Sequence, residues 1–134
     1  MSENEVIILA SILEREEPDV NERPIVAGIL IGRYLAGELL GADATTQYVF
    51  GTNKDFWPKN LTQEQLDNAN PFNTRKVVGL PPQAISNPGF NAISSVINYK
   101  ESPYNYYMHD KKGVVHYAKT LDEHNQNIYS SNRL

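Results

Sequence analysis

The chain contains no cysteine, so neither a disulfide nor a zinc–thiolate site can hold it together. That absence suits a cytosolic protein and equally an extracytoplasmic bacterial enzyme that avoids thiols. Positive charge is not in excess: 12 Lys and Arg against 16 Asp and Glu leave a formal net charge of −4. Without a basic face there is no electrostatic footprint for nucleic acid, and no such partner is expected. No apolar run approaches the roughly 20 residues needed to cross a bilayer. The longest, residues 6–12, is interrupted by Ser11. The opening Met1-Ser2-Glu3-Asn4-Glu5 is acidic and polar, unlike the basic start of a signal peptide, and the chain alone is expected to be soluble. Internal repeats and low-complexity tracts are missing too. Of the 134 residues, 40% are hydrophobic and 21% charged, which describes one globular domain over residues 1–134, long enough to bury a core.

What is present is mostly helical punctuation. Val6, Leu9, Ala10 and Leu13 follow helical spacing, and Pro18 predicts an end to that helix at Glu17. A second helix is expected over residues 22–36, capped by Asn21 and closed by Gly37. Gly28 and Gly32, four apart in it, would let another backbone approach or permit tight packing. Asp43 is placed to cap a short helix over 44–50, and Thr62 with Gln65 forms a capping pattern. Residues 68–89 carry Pro71, Pro81, Pro82 and Pro88, too many for regular structure, while their apolar content argues for a long ordered loop. A helix over 90–98 follows. Residues 104–109 and 114–117 read as two strands joined by Asp110-Lys111-Lys112-Gly113, with glycine where a positive φ is needed. Thr120 and Glu123 open a last helix. The expected class is α+β, predominantly α, with one small β-hairpin.

The residues that suggest chemistry are the carboxylates at the end of the first helix. Glu16 lies three residues beyond Leu13 and seven beyond Leu9, so it continues the apolar stripe. A carboxyl leaving an apolar face near the negative end of a helix dipole is disfavoured as an ion, which suits a general acid. An ordinary solvated Glu/Arg cluster is the competing reading of the same segment. His109, His116 and His124 lack the spacing of metal ligands, and neither metal nor cofactor is expected.

Several motifs in order carry a resemblance across essentially the whole chain. They are Ala10-Ser11-Ile12-Leu13-Glu14-Arg15-Glu16, then Arg33-Tyr34-Leu35-Ala36-Gly37, then Asp43-Ala44-Thr45 with Tyr48 and Gly51. Phe72-Asn73-Thr74 follows, then Gly79-Leu80-Pro81-Pro82 with Ile85, Asn87, Pro88 and Gly89, and last His116, Leu121, His124 and Asn125. In these the chain resembles the catalytic domain of the MltG (YceG-like) endolytic murein transglycosylases. It departs from their pattern at Gly32, Gly41 and Ala44, where members carry Asn, Gln and Pro.

The resemblance implies a lysozyme-like fold and a lyase that cuts the β-1,4 bond between N-acetylmuramic acid and N-acetylglucosamine, leaving a 1,6-anhydromuramoyl end. It implies Glu16 as the single acid/base, with Glu14 as second choice and more suited to a structural network. Asp43, Thr45, Tyr48, Asn73 and His116 are the implied substrate contacts. Each of the first four has a structural alternative: capping for Asp43 and Thr45, core packing for Tyr48, an Asx turn for Asn73. Implied partners are peptidoglycan glycan strands and the penicillin-binding synthases. The implied location is the extracytoplasmic face of the bacterial inner membrane, reached through an N-terminal anchor and LysM-like subdomain that precede this region in the family and are not in this chain. A non-catalytic glycan-binding or synthase-scaffolding module of the same fold is the alternative function.

Overall fold

Ser2 opens the first helix. Its hydroxyl accepts the Glu5 backbone N–H while the Glu5 carboxylate accepts that of Ser2, a reciprocal box that starts α1 at Glu3–Glu16. The sequence expectation began this helix at Val6 and overlooked the Ser2-x-x-Glu5 signal. The computed structural model describes residues 1–132. Its further elements are α2 (Arg23–Leu35), α3 (Asp43–Phe50), α4 (Gln63–Asp67), α5 (Phe90–Ile97), β1 (Tyr106–His109), β2 (Val115–Ala118) and α6 (Leu121–Asn132). This is the α+β, predominantly α architecture that the residue pattern implied.

Two further helix starts differ from expectation. Asn21 does not cap α2: Glu22 holds the cap position without a side-chain bond, and the Asn21 N–H donates to Asp19 in an Asx turn. Pro24, in the first turn, has no N–H for a cap to serve. Asp43 is likewise the first residue of α3 and not its cap. Ala42 takes that position because Thr74 reaches in from the proline-rich loop and bonds both its N–H and its carbonyl. The end of α2 is as expected: Gly37 at φ 72 lets Glu38 N–H reach the Arg33 carbonyl at 2.9 Å, the left-handed helix stop that a Cβ would strain.

The core lies where α1 packs on α5, α2 and α3, with α5 also against α2. Leu9, Ile12 and Leu13 of α1, Val26 and Leu30 of α2, Ala92 and Val96 of α5 and Leu40 are essentially without solvent contact. The proline-rich loop is stitched to this core at Ser11. The Ser11 hydroxyl accepts the Ile85 N–H at 3.0 Å, its carbonyl accepts from Ser86 at 2.8 Å, and Ile85 enters the cluster. The serine of the Ala-Ser-Ile motif is therefore a buried fastener. Close approach also occurs at Gly28, where a Cβ would sit 2.1 Å from the Lys100 carbonyl oxygen; Gly32 has open space.

The hairpin pairs β1 and β2 antiparallel, with Tyr107 opposite Tyr117 and Met108 opposite His116. Gly113 at φ 82 closes its turn, as the sequence required. Helix α6 lies on both strands. No helix among the described residues is long and apolar enough to cross a membrane.

Candidate active site

Pro18 decides where α1 stops. It holds Glu17 at φ −130, ψ 101, so the helix ends at Glu16 with three acidic residues in its final turn and cap. At 3.6 residues per turn, side chains two apart diverge by roughly 200°. Glu14 and Glu16 accordingly face opposite sides of the helix.

Glu14 faces the α2–α5 side. Its carboxylate accepts the Gly89 N–H at 2.8 Å and pairs with the Arg23 guanidinium at 2.7 Å. The Gly89 N–H first, and then the Arg23 charge, hold it below the usual carboxylate range despite partial burial. Arg23 is nearly buried and also donates to the Glu17 carbonyl at 2.8 Å and to Asn91 at 3.1 Å. One guanidinium thus joins the end of α1, the start of α2 and the start of α5.

Glu16 faces a cleft of about 800 Å³. Its walls come from β1, α6, the segment 38–41 and the start of α3, and they include Arg33, Asp43, Arg75, Tyr106, His109 and His124. The Tyr107 hydroxyl donates to Glu16 Oε1 at 2.7 Å. Desolvation pushes the Glu16 carboxyl above its ordinary value, and the nearby Asp43 charge adds to that. The Tyr107 hydroxyl, the His109 charge and the Ala44 N–H pull the other way without overcoming burial. Tyr107 itself is pushed well above the normal phenol range, chiefly by burial and then by the Glu16 charge, so it remains a donor.

Beside this pair stands a second one. Glu17 is only 1% exposed, and its Oε1 lies 3.0 Å from His109 Nε2. That hydrogen bond raises the imidazole from its ordinary value against the effect of burial. His109 stands edge-on to Tyr107, ring centroids 6.3 Å apart. Elsewhere in the wall, Arg75 holds Asp43 Oδ1 with two nitrogens at 2.8 and 2.7 Å. Arg33 spends its guanidinium on the Asn105 and Leu40 carbonyls. The His124 ring stacks on Tyr106 at 5.1 Å with Nδ1 buried and unbonded among the described residues. Burial lowers its basicity.

Of the candidate catalytic and substrate-contacting residues, Glu16 and Asp43 line the cleft, while Glu14, Thr45, Tyr48, Asn73 and His116 do not. Thr45 is fully buried, bonded to the Ala42 carbonyl and to Thr74. Asn73 is equally buried: its amide donates to the Leu66 and Asn68 carbonyls and its oxygen accepts the Arg75 N–H, the Asx turn that was its structural alternative. Tyr48 packs against Trp57 and Phe72, its hydroxyl bonded to Gln83. His116 is captured by Asp110 at 2.8 Å, and the histidines that line the cleft are His109 and His124 instead. From the sequence, Tyr107 is open to sugar stacking or core packing, and His109 has no cleft role. Their i, i+2 spacing on one strand, which puts both side chains on one face, was the available signal.

Among the described residues no three His, Asp or Glu side chains converge to hold a metal ion. The arrangement offers one carboxyl biased toward its neutral form, a hydroxyl able to stabilise it once ionised, and a cleft to hold an extended substrate. Such a group can donate a proton and take one back. The other acidic wall groups, Asp43 and Glu38, are engaged by Arg75 and Asn105.

The chain is similar to known proteins over most of its length. The YceG-like family model matches residues 1–130. An endolytic murein transglycosylase of Bacillus subtilis (strain 168) is 29% identical over 126 residues, which are 94% of this chain and 34% of that protein. Another, from Streptococcus pneumoniae serotype 2, is 29% identical over 129 residues, 93% of this chain and 23% of that protein. In three dimensions the chain aligns with a crystal structure of a YceG-like protein from Listeria monocytogenes at a TM-score of 0.85 and 31% identity, covering 94% of this chain and 40% of that one. The chain therefore spans 34% or less of the curated relatives it matches.

Proposed function

The chain belongs to the YceG-like family, and from that premise we propose that it carries the catalytic centre of an endolytic peptidoglycan lytic transglycosylase, with Glu16 as the acid and base. The supporting observation is the desolvated Glu16 carboxyl at the cleft, held by Tyr107 at 2.7 Å. The names of the relatives supply the substrate class, murein.

In the proposed reaction, neutral Glu16 gives its proton to the oxygen joining N-acetylmuramic acid to the next N-acetylglucosamine. The anomeric C–O bond breaks and its electron pair leaves on that oxygen. Charge developing at the anomeric carbon is shared with the ring oxygen and met by the sugar's own N-acetyl oxygen. Glu16 is now a carboxylate, stabilised by the Tyr107 hydroxyl. It takes the proton of the 6-hydroxyl as that oxygen closes on the anomeric carbon. The 1,6-anhydro ring forms without water and Glu16 is neutral again. One carboxyl serves both steps, so the second carboxylate that glycoside hydrolysis requires is not needed. Asp43, Arg75 and His109 are the polar wall groups placed to orient the strand. In this reading the domain acts on the extracytoplasmic side of the inner membrane, alongside peptidoglycan synthases.

The test uses purified sacculi and mass spectrometry of the released products. Glu16→Gln should abolish anhydro-muropeptides, whereas Glu14→Gln should weaken the fold and retain measurable release. Full release by the Glu16→Gln protein would remove Glu16 from the mechanism. Binding of strands by the wild type with no anhydro product would make the domain a glycan-binding module, and a cell phenotype unchanged in Glu16→Gln would make it a scaffold.

A further inference from the structure

The end of α1 and strand β1 are joined by two adjacent rungs. One is Glu16–Tyr107; the other is Glu17–His109, whose carboxylate is 1% exposed and whose imidazole lines the cleft. The proposed proton transfer uses the first rung and gives the second no part in it. A buried carboxylate carrying an imidazole is a demanding feature for a protein to keep, because Glu17 without its partner would be an uncompensated charge in the interior. Its position is specific as well. Glu17 follows Glu16 directly in the chain, and His109 follows Tyr107 by two along one face of the strand, so any change at one rung is felt at the other.

We propose that His109, held by Glu17, is a positioning residue for Glu16: it fixes the Tyr107 hydroxyl against the helix end, and its imidazolium sets the charge that Glu16 meets from the strand side. The charged and titratable groups around the two rungs define this role. Asp43 of α3 acts on Glu16 as a like charge, and it is itself engaged by Arg75. Arg33 of α2 lies in the same cleft with its donors committed to carbonyls, and burial lowers the basicity of His124 of α6. His109 meets Glu17, Glu16 and Asp110. Within the cleft wall, His109 is therefore the imidazole that its neighbours favour as a cation and that loses this charge as the pH rises. While protonated it favours the ionised form of Glu16; once neutral it leaves Glu16 to hold its proton more strongly. The two titrations are coupled, and the device keeps the acid supplied with its proton as the pH rises.

This inference rests on Glu16 being the acid, yet its test does not require activity. Carbon-detected NMR of labelled Glu side chains and proton NMR of the histidines, recorded together on the whole chain, give both titrations. In the wild type, the Glu16 curve should show an inflection at the His109 midpoint. His109→Gln, which keeps a donor for Glu17 without the charge, should move the Glu16 midpoint upward by about one unit. Glu17→Gln should lower the His109 midpoint. A folded His109→Gln protein whose Glu16 midpoint stays in place or falls would overturn the proposal. So would a wild-type Glu16 curve with no inflection, which needs no variant. On sacculi, the alkaline limb of the His109→Gln pH profile should follow the NMR shift, whereas a merely structural role would lower the amplitude and leave the limb in place. A coupled titration in a protein that releases no anhydro product would instead refute the catalytic reading and leave the coupling standing.

Discussion

Tyr107→Phe isolates the hydrogen bond on which the proposed chemistry depends. The substitution removes one oxygen, the donor 2.7 Å from Glu16 Oε1, and leaves the ring packed against the core cluster. A hydrogen bond to an ionised group contributes about 1.5–3 kcal/mol and one between neutral groups about 0.5–1.5 kcal/mol. The hydroxyl therefore favours the carboxylate over the carboxylic acid by roughly 1–1.5 kcal/mol. At 1.36 kcal/mol per unit, the Glu16 midpoint, already raised by burial, should climb by about one further unit in Tyr107→Phe. The same difference acts on the barrier, since Glu16 becomes a carboxylate as it gives up its proton. Release of anhydro-muropeptides should thus fall by up to about tenfold. The assay is a pair of curves: carboxyl NMR titration of Glu16, and the rate of release from sacculi against pH. An unchanged or lowered midpoint in the folded variant would refute the claim that this hydroxyl stabilises the ionised acid. An upward shift without any loss of rate would refute its part in the reaction.

Further expectations concern stability. Glu16 has a folded-state value raised above its unfolded one, so it carries no penalty below the unfolded value of about 4.3 and becomes destabilising as the pH rises through the folded value. Glu16→Gln should accordingly melt higher than the wild type at pH 8 and no higher at pH 4; calorimetry showing equal shifts at both would contradict the desolvation argument. Arg23→Met breaks the nearly buried clamp on Glu14, Glu17 and Asn91 and should cost about 3 kcal/mol, at the lower end for a buried ion pair because Glu14 retains some solvent. A loss below about 1 kcal/mol by urea denaturation would show that the clamp is not what holds the helix ends together. Gly28→Ala and Gly32→Ala should have opposite signs. The first drives a Cβ to 2.1 Å from the Lys100 carbonyl and should cost about 1–3 kcal/mol, while the second meets nothing within 4 Å and should gain up to about 1 kcal/mol of helix propensity. Thermal melts of equal midpoint for the two variants would refute the close approach of residues 99–100 to α2.

Much of the local structure was legible because its causes are local. Pro18 ends α1, Gly37 ends α2, Thr62 with Gln65 starts α4, and Gly113 closes the hairpin, each through interactions within a few residues. Of the misread helix starts, that of α3 marks where a distant group intervenes, while those of α1 and α2 turn on local bonds at Ser2, Glu5 and Asp19. Ala42 became a cap because Thr74, 32 residues away, bonds its backbone. Thr45 and Asn73 belong to the wall's internal wiring for the same kind of reason. Motif order shows that these residues occur together, yet it does not distinguish a group that faces a substrate from one that holds the loop facing it. His116 stands with Asp110 of its own hairpin because register decides a strand residue's neighbours.

The carboxylates at the end of α1 draw the line between the two levels. The sequence alone established that acidic residues terminate an apolar helix and that Glu14 and Glu16 point in opposite directions, since that follows from 3.6 residues per turn. Which of those directions leads to a cleft depended on partners far along the chain: Gly89, 75 residues from Glu14, and Tyr107, 91 residues from Glu16. Only the packed structure brings those groups in. Charge and desolvation act through space, so one glutamate is held as an ion by a guanidinium and a backbone amide while the other, two residues on, is biased toward its acid form.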